Sequence, residues 1–303
     1  MLAYHNEMSG RFKLTVRNGD GSLKLESGWS DNVITNVGLN RAITANAIWG
    51  AGVGSGTAPE LPTDTALGAL IGKSDEAGPG DSRSTAVVGS AVSPYYSKII
   101  AVNRFPQGRA TGNISEVGMY SRNDEILWSR TLVKDTEGAP VTITVLADEI
   151  LDVTYECRVY PQETPIIGTV TLGGVSHTYK LVAQNLDSPI HAEPLIYGFR
   201  STSIPGAAYA YDGGISAPPA NEPSGTAAVS AQVVLAAYIT GTYTQSGTFS
   251  FNPGVGTMSI KSFSARLMAR FAYSAIELTP AYVKAAAIKL DLTLIYKWGR
   301  RIL

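Results

Sequence analysis

From Ile150 to Tyr160 the chain reads Ile-Leu-Asp-Val-Thr-Tyr-Glu-Cys-Arg-Val-Tyr, and Pro161 ends the run. From Leu151 onward apolar and polar residues alternate. A period of two sends successive side chains to opposite faces, the signature of a strand in a half-buried sheet. The pattern recurs at short intervals. Phe12, Leu14 and Val16 alternate with polar residues, as do Leu23 and Leu25, and Asn18-Gly19-Asp20-Gly21 between them is hairpin turn chemistry. Further strand-like runs occupy 95–105, 113–121, 125–133 and 140–146. Strands spaced about 8–15 residues apart with turn residues between them point to an antiparallel sandwich rather than to βαβ units.

One short helix is expected to interrupt this pattern. Asn36 is placed to cap it, and Leu39, Ala42, Ile43 and Ala47 share one face up to about Trp49. Residues 50–94 are rich in Gly, Ala, Ser, Thr and Pro and poor in large apolar residues, which reads as mostly loop.

The second half of the chain repeats the order of the first. Val170–Leu181 lies over Leu14–Leu25 at an offset of 156, and the offset continues through Asp31/Asp187 and Ile34/Ile190. Trp49-Gly-Ala-Gly then lies over Tyr211-Asp-Gly-Gly, Phe105 over Phe251, Ile114 over Ile260, and Leu151-Asp-Val-Thr-Tyr over Leu290-Asp-Leu-Thr-Leu. Matches in a shared order indicate tandem duplication. The expected fold class is therefore mainly β: two tandem β-sandwich-like modules, 1–160 and 161–303, each with a short helix and a long Gly-rich loop. Pro161-Gln-Glu-Thr-Pro165 would be the linker, because two prolines resist strand continuation.

Composition narrows the function. Gly and Pro are frequent, 31 and 16 among 303 residues, as many turns require. Charged residues make only 16%, against a usual ~25%, while 44% are hydrophobic, so an assembly whose interfaces replace water is expected. The net charge of -1, with no basic run beyond Arg300-Arg301, leaves no electrostatic footprint for nucleic acid. A lone cysteine, Cys157, excludes an intramolecular disulfide framework and a thiolate zinc site, and its alternating context reads as a buried neutral thiol. No apolar run reaches about 18 residues, so no membrane insertion by a helix is expected. The start, Met1-Leu-Ala-Tyr-His-Asn-Glu7, lacks the basic and apolar regions of a secretion signal, so the expectation is synthesis in the cytosol, with the protein staying soluble or leaving the cell by a route other than secretion.

No chemistry-bearing constellation stands out, and the expectation is of no enzyme, no cofactor and no metal. His5 is read as part of a mobile terminus, His177 as lying in a turn and His191 near a loop, and none belongs to a metal-spacing motif. Val87–Val92 lacks a Gly-x-Ser-x-Gly elbow. Asp75, Glu76 and Asp81, and Asp148, Glu149 and Asp152, are read as solvated turn charges rather than a glycosidase pair. Asp64 and Asp81 lack calcium-loop spacing. Gly50–Gly56 follows a helix without a terminal Gly-Lys-Ser/Thr, which suits an assembly loop better than a phosphate site. Tyrosine outnumbers phenylalanine, 15 to 7, and Tyr95, Tyr96, Tyr209 and Tyr211 are the candidate interface residues, because tyrosine joins a large apolar face to a hydroxyl.

Four short motifs stand in order in the first half: Ile34-Thr-Asn-Val-Gly-Leu39; Val53-Gly-Ser-Gly-Thr-Ala-Pro59 with Asp64-Thr-Ala-Leu67; Ile114-Ser-Glu-Val-Gly-Met119; and Leu127-Trp-Ser-Arg130. Together, across about residues 12–160, they resemble bacteriophage tail-fibre and tail-collar modules. In the second half the helix signature is eroded, and Ser262 stands where the first half has Glu116. The resemblance implies a structural protein of a virion tail, and the two modules include neither the long fibrous shaft nor the receptor tip of a full tail fibre. A collar, baseplate or fibre-adaptor role is expected, with other tail proteins and copies of itself (a trimer or hexamer) as partners. The alternatives are a receptor- or glycan-binding adhesin, whose partner would be a host-surface glycan, and a polysaccharide depolymerase.

Overall fold

β1 (Leu2–Arg17) alternates buried and half-buried residues along nearly all its length, and the other strands are arranged around it. The computed structural model describes residues 2–42, 47–74, 82–122, 125–192, 195, 206–229, 232–253, 256–267 and 272–301. After β1 come β2 (Leu23–Glu26), β3 (Ser30–Asp31), β4 (Val33–Ile34), helix α1 (Asn36–Arg41), β5 (Gly50–Gly54), β6 (Leu70–Ser74) and β7 (Ser82–Gly89). They are followed by β8 (Ser97–Phe105), β9 (Gly112–Ile114), β10 (Glu116–Tyr120), β11 (Leu127–Leu132), β12 (Ile143–Val145) and β13 (Ile150–Pro161). Beyond Pro161 lie β14 (Ile166–Leu172), β15 (Val175–Ala183), a 3₁₀ turn at Pro189–His191, β16 (Gly206–Tyr211), β17 (Ala227–Val229) and β18 (Gln232–Leu235). The last strands are β19 (Thr244–Phe251), β20 (Met258–Leu267), β21 (Ala272–Lys284) and β22 (Leu290–Arg300).

A nine-stranded sheet runs β18-β19-β22-β1-β13-β8-β7, with β2 and β3 also paired to β1. One edge of β1 is antiparallel to β13 from Asn6 to Arg17. Its other edge is parallel to β22 from Leu2 to Met8, then meets β3 and β2 in turn. A five-stranded sheet, β4-β11-β10-β5-β6, faces the β1-β13-β8 end, and a six-stranded sheet, β14-β15-β21-β20-β16-β17, faces the β18-β19-β22 end. Trp128 on β11 donates its indole N–H to the Tyr155 hydroxyl on β13 at 2.8 Å, and Phe12 packs on Tyr155 with ring centroids 4.6 Å apart. On the other side Phe251 of β19 meets Phe263 of β20 at 5.7 Å. One hydrophobic core runs through both regions. The chain is mainly β and sandwich-like.

Several expectations change. α1 is capped by Thr35, whose hydroxyl accepts from the Gly38 N–H at 2.9 Å, and Asn36 is its first helical residue. The helix ends at Arg41, and Ile43 lies outside the described residues. Six residues are too few to be helical alone. Gly38 lets α1 lie against the backbone of β11, where a Cβ would come within 2.2 Å of the Trp128 carbonyl oxygen. In the second half a 3₁₀ turn, begun by Pro189 under a Ser188 cap, occupies Pro189–His191, and Leu195 beyond it is helical, with its immediate neighbours outside the described residues.

Residues 50–94 keep long loop stretches at 55–69 and 90–94 but also contain β5, β6 and β7. β5 is central in its sheet, between β10 and β6, with all of its residues buried. A Cβ at Gly52 would lie 2.6 Å from the Tyr120 ring, and one at Gly54 would lie 2.5 Å from the Ala69 carbonyl oxygen. The face that carries Gly52 and Gly54 is too crowded for side chains, while Ala51 and Val53 on the other face join the core, so the strand is written largely in glycine and signals itself weakly.

Candidate functional site: a buried clamp on the 55–69 loop

Glu116 begins β10, beside Gly54 of β5 on one side and Leu132 of β11 on the other, and its side chain is fully buried. It accepts hydrogen bonds from the backbone N–H groups of Gly56 (3.1 Å), Gly68 (3.1 Å) and Ala69 (2.8 Å), and from Arg130 Nε (2.8 Å). A buried carboxylate is tolerated only when paired and saturated with donors, and here both conditions hold. Arg130, on β11, spends its other two nitrogens on the same loop: Nη1 on Asp64 Oδ2 at 2.6 Å and Nη2 on the Ala58 carbonyl at 2.8 Å. Burial works against the Arg130 charge, but the hydrogen bonds and charges of Asp64 and Glu116 outweigh it and raise its pKa above the ordinary value. Asp64 also accepts from the Leu61 N–H at 2.9 Å.

These bonds pin both ends and the middle of the connection between β5 and β6. Its outer side, including Thr57, Pro59, Leu61, Pro62 and Thr63, stays exposed. The clamp's acceptors point inward at backbone donors, so its chemistry is positional: it presents a fixed loop to the surface. All four sequence motifs meet here, since the Pro62 carbonyl accepts from the Asn36 N–H of α1 at 2.7 Å.

The far end of the chain closes over α1. Trp298 Nε1 donates to the Leu39 carbonyl at 2.8 Å, Arg300 donates to the Ile34 carbonyl and to Asn36 Oδ1, and Tyr238 donates its hydroxyl to Asn40 Oδ1 at 2.7 Å. These contacts span most of the sequence and have no local signal. A parallel to the clamp exists beyond Pro161. Ser262 of β20, fully buried between Tyr211 of β16 and Glu277 of β21, donates to the Gly213 carbonyl at 2.6 Å. It holds the chain leaving β16 as Glu116 holds the chain leaving β5.

The four candidate tyrosines are half-buried and fall on two regions. Tyr95 and Tyr96 precede β8; the Tyr96 ring lies 5.6 Å from Tyr160, with the Arg158 guanidinium 4.6 Å above it, and the Tyr95 N–H donates to Glu163 at 2.6 Å. Tyr209 and Tyr211 are on β16 rather than on an exposed loop, alternating with buried Ala208 and Ala210, their rings 6.5 Å apart.

The histidines differ from expectation. His5 is in β1 opposite Lys297, and burial lowers its pKa, partly opposed by the charge of Glu7. It lines a cleft of about 510 Å³ with Tyr4, Gln162, Tyr243, Lys297 and Trp298. His177 is buried in β15, 2.7 Å from the Pro280 carbonyl. His191 is fully buried and donates from Nε2 to the Gln184 and Asn185 carbonyls; burial lowers its pKa to about 4, with those bonds opposing.

Cys157 is buried, which pushes its thiol up to about 12. Asp152 is not a solvated turn charge but lies buried in β13 between Arg17 and Arg104; burial opposes its ionisation, yet their hydrogen bonds hold its pKa below the usual value. Glu149 is also buried, bonded to the Leu146 N–H and to Lys24. Asp75, Glu76 and Asp81 lie outside the described residues. No protein-family model matches the chain, and neither a curated protein nor a solved structure matches it.

Proposed function

We propose that this chain is a structural protein of a bacteriophage tail, a collar, baseplate or fibre-adaptor component that works by assembling with copies of itself and with neighbouring tail proteins. The observation that carries this reading is the convergence of the four motifs on one buried clamp. Residues far apart in sequence, and shared with the modules that the chain resembles, are used here to fix one exposed loop. A scaffold that invests buried charge in holding a surface loop still is suited to repeated contact, where preorganisation limits the entropy lost on docking. The low content of charge supports the same reading.

The reading includes tandem duplication, with modules 1–160 and 161–303. Its support is topological. Before Pro161 the sheet orders are β4-β11-β10-β5-β6 and β13-β8-β7; after it they are β14-β15-β21-β20-β16-β17, one strand longer, and β22-β19-β18. Phe105 and Phe251 end β8 and β19, and Leu151 and Leu290 lie at the starts of β13 and β22. Other matches do not fit this scheme: Trp49 precedes β5 whereas Tyr211 ends β16, Leu14–Leu25 lies on β1 and β2 of the nine-stranded sheet whereas Val170–Leu181 lies on β14 and β15 of the six-stranded sheet, and Ile34 lies in β4 whereas Ile190 lies in the 3₁₀ turn. Three such chains would offer six similar module surfaces, so a trimer or hexamer could join a sixfold tail to threefold fibres. Light scattering on the purified chain tests the self-assembly: a trimeric or hexameric mass is expected, and a monomer at all accessible concentrations would contradict it.

A further inference from the structure

We propose that β14 is a self-pairing edge, joining two copies of this chain in antiparallel register about a two-fold axis at Thr169. This rests on the self-assembly reading and names its surface. β14 and β15 form a hairpin whose two-residue turn, Gly173-Gly174, has positive φ at both positions (57° and 82°), as a type I′ turn requires. In such a hairpin the residues flanking the turn, Leu172 and Val175, form a hydrogen-bonded pair, and alternate pairs along the ladder do so as well. The N–H and C=O groups of Ile167, Thr169 and Thr171 therefore point away from β15. Among the described residues no other strand pairs with that edge.

The edge lacks the usual protections. Ile-Ile-Gly-Thr-Val-Thr-Leu carries no charge, proline or bulge, and Ile167 is 71% exposed. By contrast, edge strand β6 carries Lys73, and the uncharged edge strands β17 and β18 are only three and four residues long, against seven in β14. The sequence of β14 also selects the partner and the register. Two copies related by a two-fold at Thr169 place Ile167 opposite Thr171 and Thr169 opposite itself. Every outward group then has a partner, with two hydrogen bonds per pair. No like charges face each other. Sliding toward the N-terminus brings Pro165, which has no N–H, into a bonding position, and sliding the other way brings in the Gly173-Gly174 turn. Only the Thr169-centred register pairs all three residues. Combined with a threefold ring, this two-fold contact gives a hexamer.

Cross-linking tests the register, because the native thiol, Cys157, is buried. Under mild oxidation Thr169→Cys is expected to form a covalent dimer, since hydrogen-bonded antiparallel pairs hold Cα atoms about 5.5 Å apart, within disulfide reach. Ser176→Cys, equally exposed but one strand inside the edge, is expected not to cross-link. Thr169→Lys, which keeps the β15 ladder intact, is expected to halve the assembly mass measured by light scattering. An oligomer of unchanged mass in Thr169→Lys, with no Thr169→Cys cross-link, would overturn the β14 proposal and leave self-assembly through other surfaces standing. A wild type that stays monomeric, together with a Thr169→Cys variant that does not cross-link, would overturn both.

Discussion

Glu116 is fully buried and accepts from four donors, so its substitution tests how much the clamp holds. Glu116→Ala leaves the Arg130 guanidinium, 4% exposed, facing a void, and breaking a buried pair in this way costs roughly 3–5 kcal/mol. Urea unfolding should show that loss, and limited proteolysis should cut between 55 and 69 in the variant but not in the parent. His191 gives a pH signature. The unfolded imidazole takes up a proton as pH falls through its ordinary value of 6.5, whereas the folded one resists until about 4. The unfolded state binds more protons across that interval, so stability falls as pH drops, by roughly 2 kcal/mol at pH 5 and about 3 kcal/mol in full. His5, also lowered by burial, adds in the same direction. The expected outcome is a urea midpoint that falls between pH 7 and pH 5 and falls less in His191→Gln.

At the scale of elements, α1 depends on contact rather than propensity. In Gly38→Ala the new methyl would meet the Trp128 carbonyl, so helix and strand must separate, at a cost of about 1–3 kcal/mol. A lowered thermal midpoint checks this, and an unchanged one would contradict it. The elements legible in the sequence were those with one apolar and one polar face. β8 alternates because one side faces the core, and β13 because its core side is apolar while its other side carries Asp152 and Glu156, buried in ion pairs. β5 was illegible because close backbone packing replaced apolar side chains with glycine. The first residues of β1 carried too little alternation to signal a strand, since β22, nearly 300 residues away, defines their pairing. The clamp was legible only in pieces: its residues stood in the motifs, but Arg130 and Asp64, 66 positions apart, meet only once the sheet has formed. Asp152 looked like a turn charge because nothing local reveals the two arginines that flank it.

At the scale of the whole molecule, β1 pairs with both β13 and β22 and thereby stitches the two ends of the chain into one sheet. With a shared core and α1 held by Trp298 and Arg300, calorimetry is expected to show one unfolding transition. Two well-separated transitions would mean that the halves unfold independently. In the proposed assembly, the same continuity would make each chain a stiff unit, with the clamped loop and β14 as its contact points. The central claim is a place in a phage tail. Immunogold labelling of purified particles, with an antibody raised against this chain, tests it most directly. Gold confined to the tail is the expected result; particles free of label, with the protein found only in the infected-cell lysate, would contradict the account.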